Sequence, residues 1–165
     1  MDYKIELRYG LIAGVLSFLW LYGEYAFGLH TTYIDLHPII TNFALLIPII
    51  CLPLGIRAKR NHDYKGNITF WQGLQSGMIM SLLYGAISVI GVFIYYKAIN
   101  PGWYEFVVEH YKTVGPKRGM NAIEAEAYAK MYFSMKAYMS QALFGSIATG
   151  GFISMVAAWM MKTKK

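Results

Sequence analysis

Residues 74–96 read LQSGMIMSLLYGAISVIGVFIYY, an apolar run without one formally charged side chain. A hydrocarbon core of ~30 Å takes about 20 helical residues to cross, and this run is long enough. A bilayer holds no water to satisfy backbone N–H and C=O groups, so the run has to be helical. Three runs of similar length and character lie at about 11–29, 38–56 and 139–161; the last is free of formal charge, and the first contains only Glu24. The expected fold is an all-α integral membrane protein, a single domain over residues 1–165 with four transmembrane helices. The first run is longer than the apolar part of a signal peptide, so an uncleaved span is expected.

Composition agrees. The chain is 56% apolar and 15% charged, with a mean hydropathy of +0.37, against about 45–50% and about 25% in soluble domains. An ordinary soluble globule and a disordered chain are both excluded. The single cysteine, Cys51, cannot form an intramolecular disulfide, and in its apolar run it behaves as a small hydrophobe.

The net charge of +6 is unevenly placed. Lys4 and Arg8, then Arg57, Lys59, Arg60 and Lys65, then Lys162, Lys164 and Lys165 all fall on one side of the four spans. The opposite side has no Lys or Arg in residues 30–37. It has six in residues 97–138, where Glu105, Glu109, Glu124 and Glu126 largely balance them. By the positive-inside rule both termini are expected in the cytoplasm, with the basic segments against anionic lipid. No basic helix or stacking platform stands outside the membrane, so nucleic acid is not an expected partner. The aromatic residues fit this frame as interfacial anchors: Tyr9, Trp71 and Trp159 near the inner face, and Tyr33, Tyr95, Tyr96, Trp103 and Tyr104 near the outer one.

Transmembrane helices approach closely through small side chains. Gly73, Gly77, Ser81 and Gly85 recur at four-residue spacing in the third span, and Ala142, Ser146, Gly150, Ser154 and Ala158 in the fourth. Gly10 and Gly14 open the first. These stripes pack inside one bundle or face another subunit. Pro48 and Pro53 predict a kink in the second span. Between spans three and four, residues 100–138 predict an extracytoplasmic amphipathic segment of two helices. Asn100-Pro101 reads as an N-cap and first helical position, and Trp103, Phe106, Val107, His110 and Tyr111 share one face. Asn121 with Glu124 reads as a capping box, and Glu126 with Lys130 as an i,i+4 pair. The segment lies on the outer membrane surface or forms a small lid over the bundle.

Glu24 is the most informative single residue, because an ionisable group inside a span is a functional-site candidate by default. Asn42, Gln141 and Lys136 fall at similar depth on neighbouring spans or their extensions. The four predict a polar cluster under the outer face, either a proton, cation or lipid-headgroup site or a structural Glu24–Lys136 pair. His30, His37 and His110 fall on the outer side with Asp35, Glu105 and Glu109, but no pair has a dependable metal-ligand spacing. These histidines are expected to be solvated, as is His62 in the basic loop. No metal site and no cofactor are expected. No phosphate-cradling glycine loop, nucleophile elbow or acid/base pair is present, so no catalytic residue is assigned.

Ile68-Thr69-Phe70-Trp71-Gln72-Gly73-Leu74, the third span, and Ile99-Asn100-Pro101-Gly102-Trp103-Tyr104-Glu105, with Tyr9-Gly10-Leu11-Ile12-Ala13-Gly14 at the start, resemble the membrane family called domain of unknown function 4199. Gly102 departs from the polar or acidic residue expected after the proline. The resemblance implies a bacterial inner-membrane protein of a kind found mainly in Bacteroidota, with no assigned activity. By genomic association it implies an accessory role in envelope glycolipid synthesis. The expected function is a non-catalytic membrane subunit or scaffold in envelope biogenesis. Its expected partners are membrane lipids and a membrane protein or a second copy of the chain. The alternatives are a small oligomeric transporter or flippase using Glu24, and an enzyme acting on a lipid-linked substrate.

Overall fold

A computed structural model describes residues 2–163, and Lys164 and Lys165 lie outside the described residues. Every regular element among the described residues is helical: α1 (Lys4–Ala26), α2 (His37–Ile40), α3 (Leu46–His62), α4 (Phe70–Ile94), α5 (Trp103–Val114), α6 (Ala122–Tyr132) and α7 (Met135–Met161). Tight 3-10 turns over Ile34–Leu36 and Thr41–Leu45 join α2 and α3 into one rod, and a π turn over Tyr95–Ile99 extends α4. Four helical rods are thus long and apolar enough to cross a membrane: Lys4–Ala26, Ile34–His62, Phe70–Ile99 and Met135–Met161. Each begins earlier in the chain than its apolar run. For the third and fourth rods the capping residues, Thr69 and Ser134, lie in the polar flanks and not at the hydropathy boundary.

Those caps are explicit. Thr69 Oγ1 accepts from the Gln72 N–H (3.2 Å) and Gln72 Oε1 from the Thr69 N–H (2.9 Å), a capping box that starts α4. Ser134 Oγ accepts from the Ala137 N–H to start α7 (3.2 Å). At Asn121 both halves of the expected box are formed, at 2.8 and 3.1 Å. Asn100 is different. Helix α5 begins at Trp103 with Gly102 as its N-cap, and the Trp103 N–H donates to the Asn100 carbonyl (3.1 Å) across a turn. The proline there serves the turn, and the Asn100 amide is turned toward Tyr95 instead.

Helix α4 is the centre of the bundle, packing against α1, α3 and α7. The small-residue stripes meet there. A Cβ on Gly150 would fall 2.7 Å from Ser81 Cβ, one on Gly73 2.9 Å from Ala158 Cβ, and one on Gly10 2.8 Å from Leu83 Cβ. Gly77 lies under Ser154, Gly85 under Ser146 and Gly14 under Ile87. The stripes are consumed within the bundle. Along the second rod, the 3-10 stretch ends just before Pro48, and Pro53 sits inside α3 without ending it.

Segment α5–α6 folds as a lid on one end of the bundle. Trp103 and Val107 are fully buried with Tyr95, and Phe133, Ala129 and Ile34 complete the same apolar cluster. Tyr95, Tyr96 and Trp103 are therefore lid core, a correction to their reading as interfacial anchors, because α5 turns back over the end of α4. The Tyr96 hydroxyl donates to the Phe133 carbonyl (2.7 Å) and so needs no headgroup water. Trp71 and Trp159 remain exposed. On the outer face of α6, Lys130 lies 2.6 Å from Glu126 and holds that carboxyl below the usual carboxylate range.

The opposite end carries Asp2 and Thr163, the first and last described residues, and a charged clamp the sequence reading passed over. Lys59 is buried, not free for lipid; its ammonium donates to Glu6 Oε2 (3.2 Å) and the Asp2 carbonyl (2.6 Å) and pairs with Asp63 Oδ2 at 2.6 Å. The Ser76 hydroxyl donates to Glu6 Oε1 (2.9 Å), which brings in α4. The Thr163 N–H donates to the Ile68 carbonyl (2.9 Å) and ties the end of α7 to the same place. Removing one member of a buried pair leaves an uncompensated charge, so Lys59→Met is expected to destabilise the fold by about 3–5 kcal/mol. Lys59→Met with Glu6→Met is expected to recover most of that loss, measured by unfolding in detergent.

Candidate functional site

Under the lid, α1 ends in a Schellman turn. The Leu29 N–H donates to the Glu24 carbonyl (2.9 Å) and the Gly28 N–H to the Tyr25 carbonyl (3.0 Å). Gly28 adopts the left-handed φ of +77° that this turn requires. The chain reverses there, so His30 returns over the end of its own helix, and the Ile34–Leu36 turn delivers His37 beside it. Both imidazoles come to rest on Glu24. Its Oε2 lies 3.5 Å from His30 Nε2 and 3.7 Å from His37 Nε2. Its Oε1 accepts from Trp20 Nε1, one turn earlier, at 2.6 Å.

All three groups are out of solvent, with Glu24 4%, His30 1% and His37 8% exposed. The expectation that these histidines are solvated is corrected: the lid covers them. The His30 ring lies 4.5 Å from the Trp103 ring and 4.9 Å from the His37 ring, centroid to centroid. The Tyr95 hydroxyl and His30 Nδ1 share a hydrogen bond, and Asn100 Nδ2 donates to the same hydroxyl (2.9 Å). His30 Nε2 makes no hydrogen bond. His110 takes a separate place, 3.5 Å from Asp35, joining the lid to the second rod. His62 is exposed at the end of α3, at the opposite end of the bundle.

Glu24 and His37 form part of the wall of a cleft of about 530 Å³ between the rods and under α6. Of the expected cluster, Asn42 and Gln141 also line it, but each donates its amide to a backbone carbonyl, Pro38 (2.6 Å) and Tyr132 (2.9 Å) respectively. Lys136 is exposed and does not line the cleft. Five helical positions separate it from Gln141, about 140° around the helix, so the two cannot share a face. Glu24 is therefore partnered by Trp20, His30 and His37 and not by Lys136. Ser17 and Ser88, deeper in the cleft wall, have hydroxyls without a hydrogen-bond partner.

The ligand-like trio escaped the sequence reading because His30 lies in a turn and His37 opens α2 only after a second one, and spacing across turns carries no fixed geometry. One signal was available. Both residues flank the short connection between the first two rods and so had to lie at the Glu24 end.

A family model described as protein of unknown function (DUF4199) matches residues 8–163. The chain belongs to this family. Comparison with curated proteins and with solved structures gives no match. Membership in DUF4199 carries no activity, so the chemistry of this member has to be argued from its own side chains. Trp103 is the keystone over the trio. Trp103→Ala is expected to lower stability by about 3–5 kcal/mol. It is also expected to make Glu24 reactive toward a water-soluble carbodiimide, read by mass spectrometry of the labelled peptide.

Proposed function

We propose that this DUF4199 protein is a non-catalytic, lipid-binding membrane subunit of a bacterial inner membrane that serves envelope biogenesis. The observation that carries the reading is the continuity of two hollows. Leu45 and Thr149 line both the polar cleft under the lid and an apolar groove of about 720 Å³. That groove runs between α3 and α7 past Ile49, Pro53, Phe152 and Met160. A lipid fits this shape, with its polar part beside Asn42, Gln141 and the tyrosines of α6 and its acyl chain along the groove. Aliphatic and aromatic walls with a few convergent polar groups are typical of small-molecule sites.

The orientation in this reading puts both termini in the cytoplasm and the lid on the extracytoplasmic side. The basic residues at the terminal end support it. Lys59 is removed from that count by its ion pair with Glu6, and Arg8, Arg57, Arg60 and Lys65 carry the bias. The stripes are occupied within the bundle, so a partner protein or second copy would meet the lid or the outer rod faces.

Native mass spectrometry of protein released from its own membrane is expected to find one retained lipid per chain. Thr149→Trp, which fills the junction of cleft and groove, is expected to lose it while eluting as the wild type does. No retained lipid, or a Thr149→Trp protein that keeps it, would overturn the reading. The burial of Glu24 beside the same cleft favours a second reading, a small oligomeric transporter or flippase. Flux in proteoliposomes that disappears in Glu24→Gln is what that reading expects.

A further inference from the structure

We infer that Glu24, His30 and His37 together bind one first-row divalent transition ion, a site independent of the lipid reading. Zinc bound by imidazole and carboxylate has bonds of about 2.0–2.2 Å, so neighbouring ligands in a tetrahedral site stand about 3.3–3.5 Å apart. Glu24 Oε2 stands 3.5 Å from His30 Nε2 and 3.7 Å from His37 Nε2, and one ligand atom from each of the three residues lies within 4.8 Å of the others. An ion drawn between them needs side-chain shifts of a few tenths of an ångström at the closer contacts. Two imidazoles and one carboxylate suit zinc and its neighbours and do not suit magnesium or calcium, which take oxygen ligands.

Three further features prepare the trio for a cation. His30 Nε2 is buried, makes no hydrogen bond and lies on the Glu24 side of its ring. Tyr95 holds the other ring nitrogen, and Asn100 in turn holds Tyr95. Binding through Nε2 puts the ring proton on Nδ1, donated to the Tyr95 oxygen, the kind of outer support that orients metal-bound histidines. Trp20 engages Glu24 Oε1 and leaves Oε2 for the ion. Glu24 and His37 form part of the cleft wall, so a fourth coordination position faces the cleft, where water or an anionic group could complete it. One carboxylate leaves a divalent ion with an uncompensated positive charge, which favours an anionic fourth ligand.

The test is a zinc titration of the full chain in mild detergent, carried on a tag without histidines and stripped beforehand with chelator. The expected result is one zinc per chain, and cobalt at the same site should give the intense visible absorption of a four- or five-coordinate ion. His30→Gln and His37→Gln are each expected to weaken binding at least tenfold, and Glu24→Gln to abolish it. His62→Gln, exposed at the far end of α3, should change nothing. Tyr95 is a positioning residue here, so Tyr95→Phe should keep the stoichiometry and weaken affinity by about 10–100-fold. Failure of the wild-type protein to take up zinc would overturn the inference. So would His30→Gln and His37→Gln proteins that elute as the wild type and retain its affinity, whatever becomes of Glu24→Gln.

Discussion

Where α4 meets α7, Gly77 receives Ser154 and Gly150 receives Ser81. Each helix supplies both the hollow and the filling, so this contact admits no side chain larger than the ones present. In a bilayer the apolar environment of a helix is no worse in lipid than in protein, and close packing has to supply the attraction that water supplies elsewhere. The other rods arrange themselves on that axis. Helix α1 lays Gly10 and Gly14 against Leu83 and Ile87, and α3 brings Gly55 to Met80. Open hollows are left where the second rod stands away from α7 and from the outer part of α1.

The two ends of the bundle treat buried charge in opposite ways. At the terminal end, Lys59 finds two carboxylates and a carbonyl, and Glu6 finds Lys59 and a serine. Nothing is left over, and the group acts as a clamp for three chain segments. At the lid end, Glu24 meets two imidazoles and an indole, and one imidazole nitrogen is left without a hydrogen bond. A structural network is normally completed, since an orphaned buried donor or acceptor is expensive. An ion between Glu24 and the two imidazoles would complete the network at that end.

Much of this architecture was legible in the chain. The apolar runs give the rods, four-residue spacing of Gly and Ser gives the stripes, and Asn121 with Glu124 gives the start of α6. What failed did so for a common reason. Hydropathy reports the environment a residue would suit, whereas Tyr95, Tyr96 and Trp103 took their environment from a lid that folds back on them. Lys59 reads as loop-flanking base until Glu6, far away in sequence, is placed beside it. His30 and His37 reach Glu24 through a Schellman turn and a 3-10 turn, and neither imposes a period that spacing could reveal. Glu24 itself was identifiable, but its partners were not.

The π turn at Tyr95–Ile99, closed by the Asn100 N–H on the Tyr95 carbonyl at 2.8 Å, works as a phase shifter. A π turn holds one residue more than an α turn, and each helical residue advances about 100°. The extra residue therefore sets the compass bearing on which the chain leaves α4 without altering anything beneath it. On that bearing α5 arrives above the histidines. With one residue fewer the same α5 would set out from another side of the rod, leaving four intact helices and an uncovered Glu24. The geometry of the lid is thus written as a residue count, separate from the apolar code that builds the rods below it.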